Sequence, residues 1–331
     1  MRASQIGTMI FAFLLIASSM ASKGSSKTLY LFNNTQTVPG TSSVLLYDLD
    51  KATYSTVAKI DSVTSAMTAV LSASVVCGDS YYAAWTNVPA SAGILRASLS
   101  TGEMVYNTGV SGSNYHQIAC TENEDTIMVV KSMAGTPATF SLQKYNFPDN
   151  SEVEIASLPF SSFPGRDNIF GFTSDGKSLF AHFPNSIDPT KMTTGTLYVV
   201  DTTANQTIQK FDYPKRVGEV YDVYPGKSSS DDFVASFKSS FTKAHLCQMS
   251  FQGSTLKKGA CEKADYLNAG SAPKPVCSDG QAYAMPHNIG TGPGSTQPLT
   301  QFDPQTGKYT TLVDLSSVIP LNFLGSVACG Y

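Results

Sequence analysis

Short apolar segments alternate with polar turns along most of the chain, and they recur in a fixed order. In each repeat one apolar segment leads into a turn, and a second apolar segment with a small residue near its middle follows. The copies read SVVCGDSYYAAW, QIACTENEDTIMVV, FGFTSDGKSLFAHF, VYPGKSSSDDFVASF and KPVCSDGQAYAM. No stretch sustains a period of about 3.6 residues, and β-branched and aromatic residues dominate the apolar segments. The pattern therefore predicts strands rather than helices.

Each copy is followed by two more strand-like segments joined by a tight turn, as in GILRASLSTGEMVYNTGV and TLYVVDTTANQTIQKFDY. The turns carry Gly, Asn, Asp or Pro, which favour chain reversal, so each repeat is predicted to be a four-stranded antiparallel meander. The repeats recur about every 50 residues, a period typical of propellers. Aligning the second strands brings mostly small side chains into one column, as close stacking of sheets requires: Ala84, Val129, Ala181, Ala235 and Ala284.

The two ends of the chain are complementary fragments of one repeat. The C-terminal segment LNFLGSVACGY matches only a first strand, whereas KTLYLFNN and SSVLLYDLDKATYSTVAKI near the N-terminus match strands two to four. With the five internal repeats, they predict an all-β, six-bladed β-propeller of four-stranded antiparallel blades, whose last blade is closed by both termini. An open β-sandwich or two β-domains is the alternative, but it would leave the complementary ends unexplained.

The third repeat, with SDGKSLFAHF followed by TGTLYVVDTTANQTIQKF, resembles the YVTN and TolB-like blade repeats of secreted and surface propellers. LTQFDPQTGKYTTLV resembles them to a lesser degree. The resemblance implies a propeller fold. Proteins with such repeats range from adhesion and ligand-binding proteins to assembly factors and hydrolases, so the resemblance implies no single function.

The N-terminus has the pattern of a secretory signal peptide. The apolar run MIFAFLLIA is followed by small residues, which predicts cleavage after Ala21 and a propeller over residues 22–331. A membrane anchor is the alternative, but the run is shorter than the roughly 18 apolar residues that a span requires. The sequons at Asn33 and Asn205 could then be glycosylated, and the protein is expected to be extracellular and monomeric.

The net charge of −3, with only 14% charged residues, gives no reason to expect nucleic acid or an anionic membrane surface as a partner, because both require clustered Lys and Arg. The six cysteines of a secreted chain are expected to be oxidised. Cys247 and Cys261 flank a turn almost symmetrically and are predicted to pair. The remaining four occupy equivalent places in their repeats, and joining neighbouring repeats favours Cys77–Cys120 with Cys277–Cys329. Reduced, buried cysteines at these four places are the alternative.

In a propeller the first strands of the blades line a central channel. The loops that enter the first strands and leave the second strands should meet at one mouth of this channel, where a concave site can form. Polar and aromatic residues from several repeats fall in these segments. The candidates for ligand binding are Trp85, Tyr115, His116, Arg166, Asp167, Asn168, Glu219, Tyr221, Asp222, His287 and Asn322.

No motif among these residues specifies a reaction. Gly-x-Ser-x-Gly, a zinc-binding Cys-x-x-Cys and the Asp-x-Asp-x-Asp-Gly calcium loop are all missing from the sequence. We therefore expect an extracellular protein that binds a protein or glycan, with no catalytic residue, resident metal or other cofactor. Two alternatives stay open: a lactonase-like hydrolase that holds Ca²⁺, with His116 or His287 as base, and a structural component of an extracellular matrix or wall.

Overall fold

The computed structural model describes residues 28–34, 40–63, 70–87, 91–109, 112–133, 138–162, 169–184, 195–203, 208–214, 219–240, 243–264, 277, 280–284, 298–303, 309–315 and 326–330. Nearly all of them lie in strands or in the short turns between strands. The strands form mainly four-stranded antiparallel sheets, which confirms the prediction of an all-β chain. Within the described ranges, no helix is long and apolar enough to cross a membrane.

Units 1 and 2 are separate four-stranded antiparallel sheets in which consecutive strands are neighbours. Unit 1 consists of β4 (Val70–Cys77), β5 (Ser80–Asn87), β6 (Ser91–Ser98) and β7 (Met104–Thr108). Unit 2 consists of β8 (Ser113–Cys120), β9 (Thr126–Met133), β10 (Ala138–Asn146) and β11 (Ser151–Ser162). Each follows the meander order that the repeats predict.

Units 3 and 4 are two further meanders that meet at their outer strands. Unit 3 consists of β12 (Ile169–Phe172), β13 (Ser178–Pro184), β14 (Gly195–Asp201) and β15 (Ile208–Asp212). Unit 4 consists of β16 (Glu219–Tyr224), β17 (Phe233–Ser240), β18 (Lys243–Gln252) and β19 (Thr255–Ala264). A single parallel residue pair, Asp212 with Thr255, joins β15 to β19 and makes one continuous sheet of eight strands.

The remaining strands come from the two ends of the chain and from unit 5. Unit 5 shows three strands in the described residues, β20 (Ala282–Ala284), β21 (Pro298–Phe302) and β22 (Tyr309–Asp314). In the terminal unit, β23 (Val327–Cys329) pairs antiparallel with β1 (Thr28–Asn34), and β2 (Gly40–Asp48) and β3 (Thr53–Val63) follow. The two ends of the described chain therefore share one sheet.

The sheets stack face to face, and the core lies between them. Alternate side chains of each strand face opposite neighbours, so successive units share apolar clusters. Tyr82 packs between units 1 and 2, whereas Phe180 and Phe233 pack between units 3 and 4. Fully burying one such aromatic side chain stabilises the fold by roughly 1.5–3 kcal/mol.

The column of small side chains contains one error of register. Val129, Ala181 and Ala235 each face the preceding unit, but in unit 1 the residue with this orientation is Ala83. Ala84 faces unit 2 instead. Its place in the column was predicted wrongly, because two adjacent alanines fit the pattern equally well and a shift of one residue exchanges the two faces of a strand.

The first strands of the units lie side by side. β23 contacts β4, β4 contacts β8, β8 contacts β12, and β12 contacts β16. β4 and β8 finish side by side, since a disulfide joins their last residues, Cys77 and Cys120. We call the end at which these strands begin the entry end, and the end at which they finish the exit end.

Candidate binding site at the entry end

Three of the first strands carry a β-bulge at corresponding places close to their beginnings. One extra residue interrupts the register of each strand, immediately after the pair made with the second strand by Trp85, Lys131 or Phe237. The extra residues are Ser72 in β4, His116 in β8 and Tyr221 in β16. A bulge bends the strand and re-aims a side chain, and bulges are common next to functional sites. The bulges at the entry end recur in the strands that lie side by side, whereas further register shifts in units 2, 4, 5 and the terminal unit fall between the third and fourth strands.

His116 is half-buried as a residue, and its ring is packed between units 2 and 3. Its centroid lies 5.4 Å from that of Phe140 and 5.5 Å from that of Phe170. Nε2 is hydrogen-bonded to Ser132 Oγ at 2.7 Å. Burial lowers the pKa of His116 to about 4, so the imidazole is neutral at neutral pH. A neutral imidazole held by a hydroxyl can exchange a hydrogen bond with a ligand, but here the ring also contributes to the packing of the sheets.

Tyr115 belongs to a buried polar cluster between units 1 and 2, together with Lys131 and Glu152. The Tyr115 hydroxyl donates a hydrogen bond to one carboxylate oxygen of Glu152, and the Lys131 ammonium donates to the other. The side chains of Lys131 and Glu152 are only 7% and 13% exposed. Burial, with the carboxylate of Glu152, raises the pKa of the Tyr115 hydroxyl. Tyr115 therefore lies inside the interface between two sheets rather than on the surface of a mouth.

Trp85 is also buried, and it packs in the cluster shared by unit 1 and the terminal unit. A Cβ placed on Gly93 would lie 2.6 Å from the indole ring, so glycine makes the space that this ring occupies. The indole Nε1 is buried and has no hydrogen-bond partner within the described ranges. Trp85 thus contributes packing at the entry end.

Three candidates lie on β16. Glu219, half-buried, begins the strand directly opposite Lys238, Tyr221 is the bulge residue and Asp222 follows it. Only the backbone of Tyr221 and Asp222 is described. The strand therefore brings three of the predicted residues within four positions of one another at the entry end, next to a break in regular pairing.

Several predicted residues lie outside the described ranges. They are Arg166, Asp167 and Asn168 before β12, His287 after β20 and Asn322 before β23. The same holds for the sequon at Asn205 and for the side chain of Asn33, whose backbone belongs to β1. Their part in a site stays a prediction.

Sequence reasoning missed a second buried histidine. His182, on β13, faces unit 4, and its ring packs edge-on against that of Tyr213 with 5.4 Å between centroids. His182 Nδ1 and the Tyr213 hydroxyl are both buried without a hydrogen-bond partner among the described residues. Burial lowers the pKa of His182 to about 3. The available signal was Gly195 on the next strand, where a Cβ would lie 2.2 Å from the His182 ring.

The six cysteines form three disulfides: Cys77–Cys120, Cys247–Cys261 and Cys277–Cys329. These are the hairpin pair and the two neighbouring-repeat pairs that the sequence favoured. Cys77, Cys120 and Cys329 are the last residues of β4, β8 and β23, so two of the bonds lie at the exit end. Three disulfides fit an oxidising, extracellular environment.

No cluster of three or more His, Cys, Asp or Glu side chains in the described part of the chain is arranged to hold a metal ion.

Solved structures with the same architecture define the class of protein. TolB from Acinetobacter baumannii is similar with a TM-score of 0.55 and 12% identity, over 91% of this chain and 66% of that chain. A chain in the crystal structure of a nidogen/laminin complex is similar with a TM-score of 0.50 and 12% identity, over 92% of this chain and 98% of that chain. No family model matches the sequence, and no curated protein matches it.

These likenesses assign the chain to the β-propellers. At 12% identity they establish the fold alone. The resemblance to TolB-like propellers seen in the blade repeats is confirmed at this level.

Proposed function

We propose that this chain is a secreted, monomeric β-propeller of six blades that binds an extracellular protein or glycan at the entry end of its ring. Support for six blades comes from the strand groups of the described chain, five of four strands and one of three. Support for closure by the termini comes from the pairing of β23 with β1. The succession of contacts among the first strands fits their position around a propeller axis.

The observation that carries the binding site is the repeated bulge at the entry end. Regular pairing would be enough to build stacked sheets, yet Ser72, His116 and Tyr221 interrupt it at equivalent places in three units. Repetition around one axis would bring the bulged segments, with the loops that precede the first strands, to a common mouth. A partner bound there would meet mixed polar and aromatic groups, which suit a protein surface or a glycan.

Secretion forms part of the proposal. Residues 1–21 would act as a signal peptide, and the three disulfides support passage through an oxidising compartment. Asn33 and Asn205 would then be available for glycosylation.

The test compares variants at the two ends of the sheets. The full chain is expressed through the secretory pathway, purified and probed on an array of defined glycans and immobilised extracellular proteins. Tyr221→Ala and Glu219→Gln are expected to weaken any binding by about tenfold or more, equivalent to about 1.4 kcal/mol. The matched control is Glu122→Gln, an exposed carboxylate in the turn at the exit end of unit 2.

Two results would overturn the proposal. Equal binding by the entry-end and control variants would place the binding surface elsewhere. Stoichiometric, tightly held calcium in the purified protein, with hydrolysis of lactones and no binding on the array, would replace a binding protein with a lactonase-like hydrolase.

A further inference from the structure

The disulfide Cys247–Cys261 differs from the other two in what it connects. It joins two residues that face each other on the adjacent strands β18 and β19, only 14 residues apart in sequence. The other bonds span 43 and 52 residues and connect different units. The β18–β19 ladder continues on both sides of Cys247–Cys261, so backbone hydrogen bonds hold the hairpin with or without this bond. Its opening is therefore compatible with the folded state.

This disulfide also presents one exposed partner. Cys261 lies on the outermost strand of unit 4 and is exposed, whereas Cys247 is completely buried. Cys77, Cys277 and Cys329 are buried, and Cys120 is half-buried. The register between β18 and β19 shifts by one residue beside Cys247, between Cys247 and Met249. Since exchange requires a thiolate to reach a sulfur atom, Cys261 is the most accessible point of attack.

The strand that carries Cys261 is rich in positive charge. β19 contains Lys257, Lys258 and Lys263, all exposed, and one carboxylate, Glu262. Exposed cations on this strand attract an approaching thiolate, so they favour the attack on Cys261. The chain as a whole is slightly acidic, with a net charge of −3, which makes this basic strand distinctive.

We propose that Cys247–Cys261 is a site of thiol–disulfide exchange that a dithiol opens while the rest of the propeller stays folded. One thiolate of the dithiol bonds to Cys261 Sγ as the Cys261–Cys247 bond breaks. The electron pair passes to Cys247 Sγ, which takes up a proton. The second thiol loses its proton, attacks the sulfur already bound to Cys261 and forms a disulfide within the reagent. Cys261 leaves as a thiolate and is protonated, so the protein gains two electrons and two protons.

The burial of Cys247 explains why the partner is a dithiol. After the first step the Cys247 thiol remains directly opposite the mixed disulfide, with 4.1 Å between the two Cα atoms. It can attack that bond and restore the original disulfide before a second molecule of a monothiol arrives. A dithiol completes the reaction within one complex, so it competes with this return.

The experiment uses the folded, full-length secreted protein without denaturant. Samples are incubated with graded dithiothreitol, alkylated with iodoacetamide and digested, and the cysteine peptides are quantified by mass spectrometry. We expect Cys247 and Cys261 to be alkylated at a dithiothreitol concentration about tenfold lower than the other four cysteines. Near-ultraviolet circular dichroism should be retained at that concentration. A monothiol at equal thiol concentration should open the bond much less.

The titration of the wild-type protein tests the proposal without any variant. Earlier or simultaneous opening of either inter-sheet disulfide would refute the proposal, as would loss of tertiary signal together with alkylation of Cys247 and Cys261. If a monothiol opened Cys247–Cys261 as readily as a dithiol, the proposal that the partner is a dithiol would be wrong. Lys257→Gln with Lys258→Gln should slow opening several-fold, and the exit-end pair Lys177→Gln with Lys227→Gln should leave its rate unchanged.

Discussion

The entry and exit ends of the sheets are held by different kinds of contact. At the exit end, exposed side chains hydrogen-bond in the turns, as Asp79 does with Ser98 and Ser100, and two disulfides join neighbouring units. At the entry end, polar groups such as those of Lys131 and His182 are buried between sheets. The exit end thus depends on covalent links and on exposed hydrogen bonds, whereas the entry end depends on desolvated polar groups.

This difference indicates how the two ends respond to change. Local turn contacts are individually modest, and losing one exposes little. A buried charge or imidazole is harmless only while its protonation state and its partners are preserved. The entry end should therefore be the more sensitive to single substitutions and to pH, and the exit end the more sensitive to loss of its covalent links.

The largest effect of a single substitution is expected from Lys131→Met. It would leave the Glu152 carboxylate buried without its ammonium partner, at a cost of about 3–5 kcal/mol in the free energy of unfolding. Urea denaturation of the purified protein measures the loss. Lys51→Met, which removes a 2.7 Å pair with Asp48 on the surface, is the control and should remain close to wild type. Equal losses in the free energy of unfolding for Lys131→Met and Lys51→Met would show that the buried pair is no more important for stability than the surface pair.

Removal of an inter-sheet disulfide should cost nearly as much at the exit end. Replacing Cys277 and Cys329 with serine is expected to lower the free energy of unfolding by about 2–5 kcal/mol, because the bond closes a loop of 52 residues. The matched variant replaces Cys247 and Cys261, which close a loop of 14 residues, and should lose less. The comparison fails if the hairpin variant is the less stable of the two in urea.

Acid should destabilise the entry end through its two histidines. Folding lowers the pKa of His116 to about 4 and that of His182 to about 3 by burial, from an ordinary value of 6.5. Below pH 6.5 the unfolded chain binds protons that the folded chain excludes. Stability is therefore complete above that pH and falls on acidification by up to about 1.4 kcal/mol per pH unit and per histidine. The decline ends near pH 4 for His116 and near pH 3 for His182.

Equilibrium unfolding measured from pH 7.5 to pH 4 in about half-unit steps tests this expectation. His182→Leu should flatten the slope. His245→Gln, which leaves both buried histidines in place, should keep it. An unchanged slope in His182→Leu would show that His182 is not protonated on unfolding in this range.

The smallest of these effects is expected at an exit-end turn. Thr173 Oγ1 donates to Asp175 Oδ1 at 2.6 Å and accepts the Ser178 N–H at 3.1 Å, and Thr173 is only 2% exposed. Thr173→Val should cost about 1–3 kcal/mol, since it removes both contacts inside a buried turn. Thr203→Val, at an exposed turn, is the control and should lose clearly less in the same urea assay. If Thr173→Val lowered the free energy of unfolding more than Lys131→Met, the exit end rather than the entry end would be the more sensitive to single substitutions.

Much of the fold could be predicted because the information is local and repeated. Strand segments, turns and the facing of Cys247 and Cys261 follow from alternation and from turn residues within a single repeat. The pairing of Cys77 with Cys120 follows from equivalence between repeats, since equivalent places in stacked sheets are neighbours. Ala84 was predicted in the place that Ala83 occupies. The pattern locates the two adjacent alanines, but it does not tell which of them faces which neighbouring unit.

The candidate site was predicted less well, for a physical reason. Tyr115, His116 and Trp85 were expected to line a mouth, but they are packed between sheets. Aromatic and polar residue types occur in both places, so residue type alone does not tell a loop residue from a packed one. Lys131 and Glu152 belong to different strands, and nothing in either segment indicates that their charges meet.

The sequence by itself determined the local order of strands and turns, because hydrophobic alternation and turn propensity act over a few residues. It also determined the complementarity of the two chain ends, which the pairing of β23 with β1 reflects. Only the tertiary structure decided which polar groups are desolvated and which strands bulge. Burial and register depend on the approach of neighbouring sheets, and that approach joins residues that no local pattern connects.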